Sequence, residues 1–428
     1  MRRIHPSPST QLSGITPEQA LLERLLHAPC VEAAWFSSHF LDAVPLSRVQ
    51  AIVSSLQQTY GPFQRARPIG GGFALEFDRP WSGTVTLQLN DAGQFDLLLF
   101  ESRQPALVRV FATLQRRYPA ATPVVLLGSI LGIPLLWIVQ LWQSANRIEW
   151  LGAALALAVM LSWAYLVYPW TFVTYWLRYA LPAGVAVAVA SRLPPFARLS
   201  WGTEHLTVTD GLNLGLVIIF GRGIALALRG RRSPQHALDL TFPLRDGAYG
   251  IVEGGGAKTI NYHATHRSQR YALDIVKMDA FGRRAHGLSP RSPARYRIFD
   301  DSVYSPCDGV VLKVVANLPD LTPPDTDPTR AAGNHILLEH RGVKILLAHL
   351  RPGSILVAVG DRVRQGQPLG RVGNSGNTSE PHLHIHAERG GEPTDYNTGD
   401  GAPIVFAGRF LCRNDVVRRP TKDHLRSQ

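Results

Sequence analysis

Between Pro123 and Ala190 the chain carries only three charged side chains, Arg147, Glu149 and Arg178, and this limits what it can become. The stretch "PVVLLGSILGIPLLWIVQLW", Pro123 to Trp142, matches the roughly 20 apolar residues a helix needs to cross a bilayer. The stretch "LGAALALAVMLSWAYLVYPWTFVTYWLRYALPAGVAVAVA", Leu151 to Ala190, is long enough for two crossings, with a turn expected near Pro169. Trp and Tyr gather around that point, as they do at membrane interfaces. A single soluble core does not call for so many uncharged stretches so close together. A fourth segment, "LNLGLVIIFGRGIALAL", holds Arg222 at its centre. Mid-bilayer arginine costs roughly 2.5–3.5 kcal/mol on insertion scales, so this segment spans or lies in the interface. Residues 121–232 are therefore expected to form a transmembrane region of three or four helices, with the lipid bilayer as partner. Arg103, Arg109, Arg116 and Arg117 argue for a cytoplasmic N-terminal side. Three crossings would then put the C-terminal region outside, and four would put both ends on one side. Arg229, Arg231 and Arg232 pull against the three-crossing arrangement, and the sequence leaves the choice open.

The 428 residues leave room for further domains on both sides. Residues 1–120 are expected to hold a small α+β domain. The opening "MRRIHPSPSTQLSGITPEQ" has no apolar run and does not read as a cleavable secretory signal. "TPEQALLERLL" offers a Thr N-cap followed by Pro at the first helical position. "PLSRVQAIVSSLQQTYG" has helical spacing and stops at Gly61. After it, "GGFALEFDRPWSGTVTLQLNDAGQFDLLLFE" alternates as strands broken by two turns, a β-meander. It contains no catalytic constellation and reads as a binding or spacer domain. The formal charge of +12 is mostly arginine and suits an anionic surface such as a membrane or cell-wall polymer. Nucleic acid is not an expected partner, because no helix-turn-helix, zinc-finger or RNA-binding signature is present. Cys30, Cys307 and Cys412 lie far apart with no C-x-x-C, which argues against a thiolate metal cluster and a disulfide framework.

Residues 233–428 change to short strands and turns, the pattern of an all-β domain. "VYSPCDGVVLKVV" is strand-like, "HILLEHRGVKILLAHL" is a hairpin turning at Arg341-Gly342, and "NLPDLTPPDTDPTRAAG" is a surface loop. In "NSGNTSEPHLHIHAE", His382, His384 and His386 alternate, so a strand puts all three on one face. Neutral imidazole is a good ligand for zinc, and a catalytic zinc takes three protein ligands and keeps one position open. A carboxylate would complete such a set, and Asp274 lies near His263 and His266 in "NYHATHRSQRYALDIVK".

These motifs resemble the lysostaphin/LytM-type zinc metallopeptidases. "GNSGNTSEPHLHIH" is similar to their S-x-G-x-x-x-x-PHLHF signature, and "NYH…QRYALDIV" to their first histidine-aspartate motif. "YSPCDGVVLKV" and "LLAHLRPGSILVAVGDRVRQGQPLGRVGNSGN" follow in the family's order, covering roughly Asp239 to Ala407. The resemblance implies a duplicated hybrid motif fold, Zn2+ held by His263, Asp274 and His384, and His349 and His382 as catalytic histidines. It implies that His382 moves the proton and His349 stabilises the oxyanion. One departure is Arg270, which stands where the family usually has its first histidine. A longer-spaced variant favours His263 over His266 as the ligand. His386 sits where the family usually carries an acidic or polar residue and is expected to line the groove or to be incidental. His335 and His340 are expected to be exposed, "EGGG" from Glu253 to be a turn, and Cys307 to be packed.

The function implied is a membrane-anchored zinc endopeptidase acting on bacterial peptidoglycan, its catalytic domain facing the periplasm or cell exterior. The rival is a catalytically inactive LytM-like wall-binding or regulatory module, against which the retention of His349, His382, His384 and Asp274 argues. A third possibility is a peptidase acting on a protein or peptide.

Overall fold

The computed structural model describes residues 15–70, 72–81, 83–102, 121–201 and 207–419. They belong to two compact units, Met1–Phe111 and Ala112–Gln428. In the first unit, Thr16 caps helix α1 (Pro17–His27) by accepting from the Gln19 amide. Leu22, Leu25 and Leu26 recur on one face of α1 and are fully buried. A short α2 (Ser38–Ala43), capped by Ser37, precedes α3 (Leu46–Tyr60). Gly61 ends α3 at φ +85, a conformation that favours glycine. Strands β1 (Phe63–Ile69), β2 (Gly72–Phe77), β3 (Gly83–Leu89) and β4 (Phe95–Ser102) form an antiparallel meander in that order. Phe63, Phe73, Phe77 and Phe95 fill the core under the helices. Helix, cap and turn thus fall where the sequence pattern puts them, while α2 lacks the length for a periodic signal.

The second unit opens with four apolar helices, α4 (Ala121–Gln143), α5 (Arg147–Val167), α6 (Leu177–Ala190) and α7 (Val208–Gly230). Asn146 caps α5, and Thr207 with Asp210 forms a capping box on α7. By length and composition α5 and α7 are long and apolar enough to cross a membrane. The turn expected near Pro169 is the 3-10 segment Trp170–Phe172. Ile130 packs with Ala164, and Leu141 with Trp150 and Ala153, so α4 and α5 are antiparallel. Gly152 faces Asn213 and Gly223 faces Trp163, so α5 and α7 run parallel. A Cβ at Gly223 would stand 2.7 Å from the Trp163 ring, and glycine therefore permits this close crossing. Val185 packs on Leu157 and Met160, and Trp142 donates to the Ala188 carbonyl, which aligns α6 with α4. The start of α4, the end of α5, the start of α6 and the end of α7 consequently share one face.

The β structure is docked on that face. Arg413 Nη1 donates to Val167 O at 3.0 Å and Asn414 Nδ2 to Tyr168 O at 2.9 Å. Tyr175 Oη and Arg178 Nη1 donate back to Asn414 O at 3.0 and 2.9 Å. The Tyr175 amide donates to Gly282 O at 3.0 Å, and the Gly256 amide to Gly230 O at 2.8 Å. Met278 packs with Trp170 and Tyr168. The last two carbonyls of α5, Leu166 O and Val167 O, left open by helix geometry, are thus satisfied by Asn414 and Arg413 of the β domain.

The main sheet has nine strands: β5 (Gly247–Glu253), β6 (Leu273–Met278), β7 (Gly309–Val315), β8 (Asn334–His340), β9 (Val343–Leu350), β10 (Arg362–Val363), β11 (Leu383–Arg389), β12 (Asp400–Ala402) and β13 (Val416–Arg419). The order is β10-β7-β8-β9-β11-β6-β5-β13, with β12 also paired to β11, and every pairing is antiparallel. Ile251, Ile275, Ile336, Leu347, Leu383 and Ile385 point into one core. Alternation then sends His382, His384 and His386 to the opposite face. The β8–β9 hairpin turns at Arg341 and Gly342, both at positive φ, as expected for a two-residue loop. His340 is half-buried, whereas His335 is buried, its ring 4.9 Å from Tyr396. The expectation of an exposed His335 fails because both faces of β8 are covered.

Candidate metal and catalytic site

Two pairings bring the site together. His384 on β11 is in register with Asp274 on β6 and with Ala348 on β9, so His349 follows beside it. His263 arrives from the 3-10 turn Tyr262–Thr265. Buried Asn261 holds that turn: its Oδ1 accepts from the His263 amide at 3.1 Å. Its Nδ2 donates to Gly255 O at 2.8 Å and Ala272 O at 3.1 Å. His263 Nδ1 is 3.0 Å from Gln269 Oε1, whose own amide donates to Asn397 Oδ1. The Gln269 oxygen can only accept, so Nδ1 carries the proton and Nε2 is left to face Asp274 Oδ2 at 2.9 Å. His384 Nδ1 lies 2.9 Å from Asp274 Oδ1. Donor atoms of His263, Asp274 and His384 all lie within 4.8 Å of one another.

His266 is exposed and outside this group, its ring 5.8 Å from that of Tyr262. Arg270 is exposed as well and lies against Tyr271. The geometry therefore brings His263, not His266, to the donor cluster.

His349 and His382 stand beside it with ring centroids 4.7 Å apart. His349 takes φ +63, a left-handed conformation uncommon outside glycine. Its Nδ1 donates to Ser375 O at 2.9 Å. His382 Nδ1 donates to Glu380 O at 2.9 Å. Both rings are therefore held through Nδ1, and Nε2 of His382 lies 3.5 Å from Asp274 Oδ1. Tyr262, His263, His349, His384, Asn377 and Tyr396 are among the residues around a cavity of about 330 Å³.

The charges are coupled. Burial works to raise the Asp274 carboxyl, but His263 and His382 hold it well below the usual carboxylate range. Burial works to lower His263 and His382, and the Asp274 charge outweighs it and raises both. Burial, reinforced by His382 and His384, pushes His349 well below the ordinary imidazole value. His384 is lowered to about 4, again first by burial.

Sequence reasoning missed three supports. His386 is not groove lining: it is 1% exposed, and its Nδ1 is 2.9 Å from His384 Nε2. Glu388, fully buried with Lys344 at 3.3 Å, accepts from the Asn397 and Gly399 amides and so steadies the loop behind Gln269. The alternation of "HLHIHAE" already put Glu388 on the histidine face. Arg284 forms a buried two-pronged ion pair with Glu380, two residues before His382, and no local pattern announces it. Cys307 is packed as expected, and burial pushes its thiol up to about 12.

Comparison with known proteins agrees with the motifs. Residues 297–396 match the model of Peptidase family M23. The peptidoglycan DD-endopeptidase ShyA of Vibrio cholerae is 33% identical over 135 residues, 30% of this chain and 28% of that protein. The chain thus matches little more than a quarter of the length of this curated relative. Among solved structures, a zinc-containing peptidase from Vibrio cholerae is similar at 23% identity, over 36% of each chain, with a TM-score of 0.23. The catalytic domain of lysostaphin from Staphylococcus simulans is similar at 18% identity, over 39% of this chain and 89% of its own, with a TM-score of 0.21.

Proposed function

We propose, taking the Peptidase family M23 domain at residues 297–396 as premise, that this protein is a membrane-anchored zinc endopeptidase of bacterial peptidoglycan. The observation that carries this reading is the convergence of His263, Asp274 and His384 beside two histidines each tied through Nδ1 to a backbone carbonyl. The donor set fits zinc: two imidazole nitrogens and one carboxylate oxygen, with room left for a fourth position. His263 Nδ1 and His384 Nε2, the nitrogens turned away from the cluster, already have partners in Gln269 and His386, the arrangement that orients ligating histidines. A bound zinc would supply a Lewis acid and bring the pKa of water towards ~7.

The chain's own groups divide the remaining work. His382, tied at Nδ1 to Glu380 O, presents Nε2 to take the proton of the attacking water and return it to the leaving amine. His349 is kept neutral by burial and spends Nδ1–H on Ser375 O, so it first offers an acceptor that aligns the water. It can donate to the oxyanion only after gaining a proton, which narrows the role expected of it. A wall-binding module without catalysis has no use for this paired arrangement.

Membrane anchoring rests on the helices. Only 11% of the apolar window of α7 is buried, unlike the core helix of a soluble protein. The start of α4 and the end of α7 share a face, which favours an even number of crossings with the catalytic domain on the periplasmic or outer side; α6, at 14 residues, is shorter than a full span. Arg147, Arg192 and Arg198 at the opposite ends then supply cytoplasmic positive charge. Arg103, Arg109, Arg116 and Arg117, outside the described residues, and Arg229, Arg231 and Arg232 at the end of α7 argue the other way. Residues 1–120, 121–232 and 233–428 are taken as spacer or binding domain, anchor and peptidase.

The test uses the full chain in detergent. We expect one zinc per chain and soluble fragments released from purified sacculi, with release abolished and zinc retained in His382→Ala. Absence of zinc after reconstitution, or equal release by the variant, would sink the reading.

A further inference from the structure

The α5–α6 loop reaches the catalytic histidine through one arginine. Arg284 is 4% exposed, and each of its five N–H groups has an acceptor. Nε and Nη2 grip Glu380 Oε1 and Oε2 at 2.7 and 2.8 Å. Nη2 also donates to Leu288 O at 3.3 Å. Nη1 donates to Phe172 O at 3.1 Å and Thr171 O at 3.5 Å, and the guanidinium lies 4.2 Å over the Phe172 ring. Thr171 and Phe172 belong to the 3-10 turn between α5 and α6. Glu380 O in turn accepts from His382 Nδ1 at 2.9 Å and from Thr378 Oγ1 at 2.7 Å.

We infer that the turn between α5 and α6 is a working part of the peptidase site: through Arg284 and Glu380 it fixes the ring of His382. Arg284 is a positioning residue. Without the Thr171 and Phe172 carbonyls two guanidinium N–H groups lose their acceptors in a buried place, which is costly. The Glu380 segment is then free to shift, and the His382 ring shifts with it. A displacement of about 1 Å at a catalytic group can cost on the order of 100-fold in rate. None of these hydrogen bonds is made by His263, Asp274 or His384, so zinc is expected to stay bound when they are weakened. The helices are therefore more than a tether for a self-sufficient domain.

This inference rests on the zinc-peptidase reading, and the test separates the two. Full-length wild type, Arg284→Gln, Phe172→Ala and Arg284→Gln/Glu380→Gln are compared in detergent on a soluble cross-linked peptide prepared from peptidoglycan. Expected for Arg284→Gln is a loss of kcat of at least about tenfold, KM within about twofold and one zinc still bound. Phe172→Ala, a milder change, should lower kcat in the same way by a few-fold. The double variant should recover part of the loss, since a lone buried carboxylate is worse than a neutral pair. Unchanged kcat in both single variants overturns the inference while leaving the peptidase reading intact. So does loss of zinc in step with kcat, which would mark a general structural role. A wild type without zinc or turnover overturns the peptidase reading itself, and this inference with it.

Discussion

Replacing His386 by alanine tests how the proposed metal ligands are oriented. If His384 offers Nδ1 to a metal, its proton must sit on Nε2, and the acceptor within reach is His386 Nδ1 at 2.9 Å. His386 is 1% exposed, so water cannot readily take over that acceptor role. The alanine variant therefore leaves a buried N–H unsatisfied in the metal-bound state, at a cost of about 1–3 kcal/mol. The metal-free state suffers less, because His384 can place its proton on Nδ1 and donate to Asp274 Oδ1. The difference appears as weaker binding, about 10- to 100-fold, the range usual for the outer partners of metal-ligating groups. Competition against a chromophoric zinc chelator, with full-length protein in detergent, measures it directly. His386→Gln, whose side-chain oxygen can accept, should recover most of the affinity. Affinity in His386→Ala within twofold of wild type would refute the argument, and so would a loss that His386→Gln shares in full.

Other outcomes follow from the same geometry. Gly333 has φ +57, and a Cβ there would fall 2.1 Å from Ser375 O, the acceptor for His349; Gly333→Ala should cost most of the turnover while zinc stays bound. Leu347 is fully buried in the main core of the β domain, so Leu347→Ala should destabilise that domain by about 2–5 kcal/mol, seen as a lower midpoint of thermal inactivation. Burial works to raise Asp279, but the Arg283 amide, side chain and charge outweigh it and hold the carboxyl below its ordinary value. A depressed folded-state pKa gives stability that is present above the unfolded value and lost as pH falls through the folded one. The midpoint gap between wild type and Asp279→Asn should therefore be full at neutral pH and close under acid conditions; a gap that widens on acidification would contradict the sign.

The parts of this molecule that were readable in the sequence are those governed by a short period. Two-residue alternation put His382, His384 and His386 on one face, and the Thr16 cap and Gly61 stop bounded their helices. Arg341 and Gly342 marked a tight hairpin. His263 and His266 could not be told apart by residue type, because the choice depends on Asn261 binding three separated backbone groups around the turn. The burial of His386 is not legible from its own strand, because β9 pairs with it on one side and the β6 and β12 pairings flank its position on the other. The Arg284–Glu380 pair joins residues 96 apart, and two of the carbonyl partners of Arg284 lie on a turn more than 100 residues before it. Backbone carbonyls carry no side-chain identity, so a docking surface built from Val167, Tyr168 and Phe172 oxygens leaves no mark in the sequence.

The docking of the β domain on the ends of the helices also has a geometric meaning. A peptidase on a long linker can search a volume; one seated directly on its anchor sweeps only a thin shell of fixed height. In a membrane, such an enzyme would choose bonds by their distance from the lipid surface as well as by their chemistry. Strands of wall farther out would then escape it until they are drawn inward.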